Sequence, residues 1–306
     1  MDDAGQRLTE QRNPRTQDID RASPRELVAL LNAEDRRVAE AVAEEADRIA
    51  EAMALVEAAF RNGGRLLYVG AGTSGRLGVL DATECPPTFG TPPELVVGII
   101  AGGTPALLRA VEGAEDDVNA AMAEMDARRV GPADVVVGIA ASGVTPFVRA
   151  ALGRAQTLGA RTVFLACAEP PALLRETCDV CIVVRTGPEA VTGSTRLKAG
   201  TATKLVLNTL TTGALVRLGK TYGNLMVDLQ ATNAKLVDRG ERIVMEIAGV
   251  DRARAAAAIA EAGGRVRTAI VMLRRGVDRE AAEQLLATHD YHLRPILGDP
   301  PPVRSA

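Results

Sequence analysis

Val69-Gly70-Ala71-Gly72-Thr73-Ser74-Gly75-Arg76 follows the apolar run Leu66-Leu67-Tyr68-Val69 and precedes a helical pattern from Arg76 to Ala82. The stretch reads as a buried strand, a tight glycine turn and a helix start. Free backbone N–H groups and the positive end of a helix dipole converge at such a turn, and glycines let an anion approach the main chain, so it is predicted to bind phosphate. Gly72, Thr73 and Ser74 are the first candidate ligands. The letters also satisfy G-x-G-x-x-G, whose dinucleotide reading expects a carboxylate about 20 residues on, at the end of the next strand. That strand, Leu95 to Ile100, runs into Ala101-Gly102-Gly103-Thr104 without one. A second unit, Val135 to Ala140 followed by Ala141-Ser142-Gly143-Val144-Thr145-Pro146, adds Ser142, Gly143 and Thr145. Two hydroxyl-bearing turns suit one phosphate monoester held from several sides better than a pyrophosphate on one helix. The competing reading makes both of them ordinary strand-to-helix turns.

Outward from this turn, apolar strands at 65–70, 95–100, 134–140, 161–167 and 180–184 alternate with helices. That is the pattern of an α/β fold with a five-stranded parallel sheet covered on both faces, whose ligands sit beyond the carboxyl ends of the strands. With 306 residues the chain can hold one such domain and a small appendage. Aromatics are 2% with no Trp, so the core must rest on Ala, Val, Leu and Ile, as buried parallel strands allow. The expected organisation is a polar N-terminal arm at 1–22, extended and suited to lying across a neighbour, then the main domain at 23–248. A subdomain of three short helices at 249–297 and a tail at 298–306 complete it. Ser23 and Pro24 mark a helix start, and a longer helix is expected from about Glu34 to Arg61. After the fifth strand, Thr192-Gly193-Ser194-Thr195 leads into a long helix from Arg196 to Lys220. Lys198 in its first turn opposes the dipole and is read as either an exposed cation or a ligand-facing one.

The net charge of −3 and the lack of a basic face argue against a nucleic-acid partner. No signal-peptide pattern opens the chain and no apolar run reaches membrane-spanning length. Cys85, Cys167, Cys178 and Cys181 lack metal-type spacing beyond Cys178-Asp179-Val180-Cys181, which favours reduced thiols in a cytoplasmic core. His289 and His292 are the only histidines and fall in the tail, so acid–base work is left to other groups. Glu84 is expected to close the helix begun at the glycine turn, because Cys85-Pro86-Pro87 should stop it. There the dipole and an apolar setting would disfavour its charge and suit it to giving up a proton; a solvated helix-end glutamate is the alternative. Glu112-Gly113-Ala114-Glu115-Asp116-Asp117 places four acids close together, so the helix should break near Gly113 and the acids splay. One of them could face the ligand as a base, and spacing does not choose among them. No metal set accompanies them.

Taken together, Gly70 to Gly90 with Asp81-Ala82-Thr83-Glu84-Cys85-Pro86-Pro87-Thr88 resembles the signature of N-acetylmuramic acid 6-phosphate etherases, members of the sugar isomerase (SIS) fold. The likeness extends through Ala110 to Asp116, Gly138 to Gly143, Gly193 to Thr201 and Tyr222 to Asp228, and includes Leu8-Thr9-Glu10 and Arg12-Asn13. It covers roughly residues 8 to 245. The resemblance implies a SIS-type three-layer fold and a cytoplasmic homodimer of cell-wall recycling, its active site near the subunit interface. Such an enzyme, a carbon–oxygen lyase, would cleave the D-lactyl ether of its phosphosugar without a cofactor, giving N-acetylglucosamine 6-phosphate and D-lactate. Carried over by motif, Glu84 is the proton donor and Glu115 the second catalytic acid. Thr73, Ser74, Ser142 and Thr145 are expected to hold the phosphate, with Ser194 and Lys198 nearby. Val144, where relatives often carry a polar or charged residue, and the tail beyond 290 depart from the pattern. Two other readings are a non-catalytic phosphosugar-binding regulator and an aldose–ketose isomerase on the same fold.

Overall fold

The computed structural model describes residues 8–230 and 233–303; the expectations for 1–7 and 304–306 lie outside these. The chain divides into two compact units, one comprising the chain to Thr83 with Glu94–Thr211, the other Glu84–Pro93 with the chain from Thr212 onward.

In the first unit, five short strands, β1 (Leu66–Gly70), β2 (Val96–Ile100), β3 (Val135–Ile139), β4 (Arg161–Ala166) and β5 (Val180–Val183), fall within a residue or two of their predicted places. All pair in parallel, in the order β2-β1-β3-β4-β5. The helices in chain order are α1 (Pro24–Glu44), α2 (Ala46–Arg61), α3 (Gly72–Phe89), α4 (Pro105–Leu108), α5 (Val118–Ala127), α6 (Pro146–Thr157), α7 (Ala172–Thr177) and α8 (Lys198–Arg217). Because successive strand residues face opposite ways, Leu67 and Val69 join Val136 and Phe164 against Met125 of α5 and Val148 and Leu152 of α6. Tyr68 turns to the other face, where its hydroxyl donates to Asp81 of α3 (2.9 Å) and to the Leu207 carbonyl of α8 (3.4 Å). The sheet is thus covered on both sides, as expected for a three-layer fold.

Three local expectations are corrected. The helix expected from Glu34 to Arg61 is two helices, since α1 starts at Pro24 with a Ser23–Glu26 capping box and the chain breaks at Glu45. The break turns the Glu45 carboxylate towards the N–H of Val183 on β5 (3.3 Å), a strand paired only to β4. Periodicity hides it, because the buried stripe resumes in phase. The arm is not extended: its described part forms short 3₁₀ turns packed on its own chain, with Thr9, Asn13 and Thr16 buried. Thr16 donates to the Ala190 carbonyl (2.8 Å) and Asn13 to that of Pro188 (3.1 Å). Finally, α3 continues through Pro86 and Pro87 to Phe89. Neither proline has an N–H to donate to the carbonyls of Ala82 and Thr83, and both fall in the last turn of the helix. Gly90, at positive φ, closes it by donating to the Pro86 carbonyl.

In the second unit, α9 (Ala234–Ala248), α10 (Arg252–Glu261), α11 (Val266–Arg275), α12 (Arg279–Thr288) and α13 (Leu293–Leu297) follow one another. Asn233, Asp251 and Asp278 cap α9, α10 and α12 as their residue types predict. The three helices expected at 249–297 do not form a core alone. Tyr222, Val227, Leu229 and α9 are buried with them, and α13 adds Leu293 and Ile296. The four cysteines are free thiols; burial pushes Cys167 up to about 12 and Cys178 up to about 11.

Candidate active site

The predicted turn is tighter than its sequence pattern. Gly72, at φ +53°, is already the first residue of α3, so Thr73 and Ser74 stand in the helix's opening turn among its unpaired amides. Gly75 makes this possible: a Cβ there would stand 2.6 Å from Ile100 Cγ1 and 2.7 Å from the Gly70 carbonyl. On the neighbouring strand, Gly143 turns at φ +84° and donates to the Ala140 carbonyl, and Thr145 precedes Pro146 of α6 without making a capping bond. Connections leave β1 and β3 in opposite directions along the sheet, so the two hydroxyl turns flank its switch point, where parallel sheets hold ligands. Ser142 and Thr145 are half-buried there.

The third hydroxyl turn is anchored by the N-terminal segment. Gly193, at φ +74°, donates to the Thr9 carbonyl (3.1 Å), and Ser194 beside it is half-buried. A Cβ at Gly200 would lie 3.6 Å from Thr73 Cγ2, which sets the start of α8 beside the first turn. Glu189, fully buried, accepts from the first amides of that helix, Lys198 N and Ala199 N (2.9 Å each), and burial pushes its carboxyl above the usual range. Lys198 is neither exposed nor ligand-facing. At 1% exposure its ammonium donates to Glu34 Oε2 (2.8 Å) and to the Thr186 carbonyl (2.9 Å). Arg15 first, then Lys198 and Asn13, hold the buried Glu34 carboxyl down at about 2. A cation in the first turn of a helix meets the wrong dipole end, and here a buried carboxylate compensates it.

A cavity of about 300 Å³ opens at the carboxyl ends of β1 and β2, bordered by Gly72, Arg76, Glu112, Gly113 and Glu115 among small apolar residues. The helix expected to break near Gly113 already ends at Leu108; Gly113, at φ +71°, opens the 3₁₀ turn Ala114–Asp116 that carries Glu115. The acids do splay. Glu112 and Glu115 line the cavity, and Asp117 caps α5 by accepting from Ala120 N (2.8 Å). Glu84 stands within α3 rather than at its end, and its side chain is exposed, so the expected apolar, helix-terminal setting is not what this chain provides. Arg76, which the sequence marks only as the start of a helix, also borders the cavity. Among the described residues no group of three or more His, Cys, Asp or Glu side chains could hold a metal ion.

The relative from Serratia proteamaculans named N-acetylmuramic acid 6-phosphate etherase is 53% identical over 293 residues, 96% of this chain and 98% of that one. Its namesake from Mycolicibacterium smegmatis is 52% identical over 95% of this chain and 97% of its own. The chain belongs to the N-acetylmuramic acid 6-phosphate etherase family. Residues 48–156 also match the family described as the glucokinase regulatory protein N-terminal SIS domain. Among solved structures, phosphoheptose isomerase GmhA from Neisseria gonorrhoeae is 18% identical, covers 63% of this chain and 98% of its own, with a TM-score of 0.47. Family membership bears out the resemblance drawn from the glycine, acidic and Gly193–Thr201 motifs of the sequence.

Proposed function

We propose that the chain, like the etherases it is related to, cleaves the D-lactyl ether of N-acetylmuramic acid 6-phosphate, yielding N-acetylglucosamine 6-phosphate and D-lactate in peptidoglycan recycling. The observation that carries the reading is one cavity at the carboxyl ends of the strands bordered by both Gly72 of the phosphate turn and Glu115 of the acidic run. The phosphate is held by Thr73, Ser74, Ser142 and Thr145, where Gly72 and Gly143 turn the chain, with Ser194 nearby; Lys198 is withdrawn from this set because Glu34 engages it. Binding there fixes the sugar's C2 and C3.

In the ring-opened aldehyde, the carbonyl acidifies the C2 proton. Glu115 removes it, the C3–O bond to lactate breaks, and Glu84 protonates the departing oxygen. Water then adds across the C2–C3 double bond, its oxygen to C3 and a proton to C2. The sum is one water consumed and one lactate released, and no cofactor enters. Each positioned acid or base contributes about 10²–10⁴-fold. We assign the enzyme to the cytoplasm as a homodimer with its sites near the subunit interface; no helix of the described chain is long and apolar enough to cross a membrane.

The match to the glucokinase regulatory SIS domain keeps one rival, a phosphosugar sensor without catalysis. Incubating purified protein with N-acetylmuramic acid 6-phosphate and measuring D-lactate decides between them. Stoichiometric lactate supports the etherase. Tight sugar-phosphate binding without lactate leaves the sensor, and interconversion of aldose and ketose without lactate leaves an isomerase.

A further inference from the structure

The substrate proposed above carries two anions, a phosphate at one end and the carboxylate of the lactyl group close to C3. The hydroxyl turns provide for the first. The second would enter a cavity already lined by Glu112 and Glu115, and three carboxylates in one small space repel one another unless a cation joins them.

Arg76 is that cation. It is half-buried, it borders the cavity together with Gly72 and Glu115, and none of the described carboxylates forms an ion pair with it. Two main-chain bonds fix its plane, Nε donating to the Leu107 carbonyl (3.3 Å) and Nη2 to that of Arg109 (3.4 Å). A guanidinium has five N–H donors in a rigid fork that matches a carboxylate, so Nη1 and the second Nη2 proton remain for a ligand. Position adds to this. The phosphate turns flank the β1–β3 crevice while the cavity lies over β1 and β2, and Gly72 borders both. A sugar tethered by its phosphate at the crevice would reach the cavity with its C3 substituent.

The geometry points to Arg76 as the residue that recognises the lactyl carboxylate and so distinguishes the etherase substrate from its own product, the same sugar phosphate without that group. This assignment rests on the etherase reading, and wild-type turnover is therefore measured first; absence of lactate release overturns that reading and this assignment with it. The test compares full-length wild type with Arg76→Gln and Arg76→Lys. The KM for N-acetylmuramic acid 6-phosphate should rise about 10- to 100-fold in the Gln variant, the range of a lost charged hydrogen bond, while the Kd for N-acetylglucosamine 6-phosphate stays within about twofold. The Lys variant, keeping the charge without the fork, should fall between Gln and wild type. Equal weakening of both ligands in both variants would assign Arg76 to the phosphate or to the fold, and an unchanged KM would place the carboxylate elsewhere; either overturns the proposal.

Discussion

At the residue scale the acids are of two kinds. Glu115 borders a cavity and Glu84 is exposed, whereas Glu34 and Glu189 are buried and fully engaged in holding the start of α8. Glu84→Gln should reduce lactate release by at least about 10²-fold, the lower bound for a lost acid, and leave the affinity for N-acetylglucosamine 6-phosphate intact by calorimetry; full turnover would remove Glu84 from its role. Ser142→Ala should raise KM with little change in kcat, and an unchanged KM would place its hydroxyl away from the phosphate. Glu34→Gln is a contrasting case. It strands the buried ammonium of Lys198, and such a loss costs about 3–5 kcal/mol of folding stability, measurable by urea denaturation. The pH dependence has a definite sign. Glu34 titrates at about 2 in the folded chain against a usual 4.5, so its contribution is complete above the ordinary carboxylate range and is lost as pH falls from 4.5 towards 2. Unfolding midpoints taken across that window should fall in the wild type and fall less in the Gln variant. None of this burial could be read from the sequence, where Glu34 and Lys198 lie 164 positions apart.

At the scale of elements, β1 with α3 is the unit that carries most. Its pattern was legible because five buried residues and a run of small ones leave few alternatives. Its detail was not. The helix begins four residues earlier than the apolar periodicity indicates, since glycines at 72 and 75 carry no periodic signal yet permit contact between helix and strand end. Its end lies beyond the stop that the proline pair indicates, because Pro86 and Pro87 fall in the last turn of a helix that reaches Phe89. Gly75→Ala would push a methyl into Ile100 and the Gly70 carbonyl. Overpacking of this sort costs about 1–3 kcal/mol, and because it also shifts the phosphate turn, KM should rise together with the loss in thermal midpoint. A stability loss with normal KM would separate the turn's geometry from the strand contact.

At the scale of the molecule, the sheet and its order follow from alternation of apolar strands with helices, and the family from motifs spread along most of the chain. The division into units was less accessible. Residues 84–93 group with the helical C-terminal part although they lie between two strands of the sheet, and only three-dimensional contact reveals such an exchange. Likewise α9 was assigned to the sheet domain although its buried face belongs with α10 and α11. The proposed homodimer predicts a solution mass of twice the 32.1 kDa chain by light scattering at micromolar concentration; a monomer fully active at that concentration would remove the second subunit from the site.

The state of the thiols has a practical consequence. Sulfur reacts with peroxide, alkylating agents or air chiefly as the anion, and at neutral pH Cys167 and Cys178 remain protonated within the protein. These two positions should therefore resist iodoacetamide until the chain is denatured.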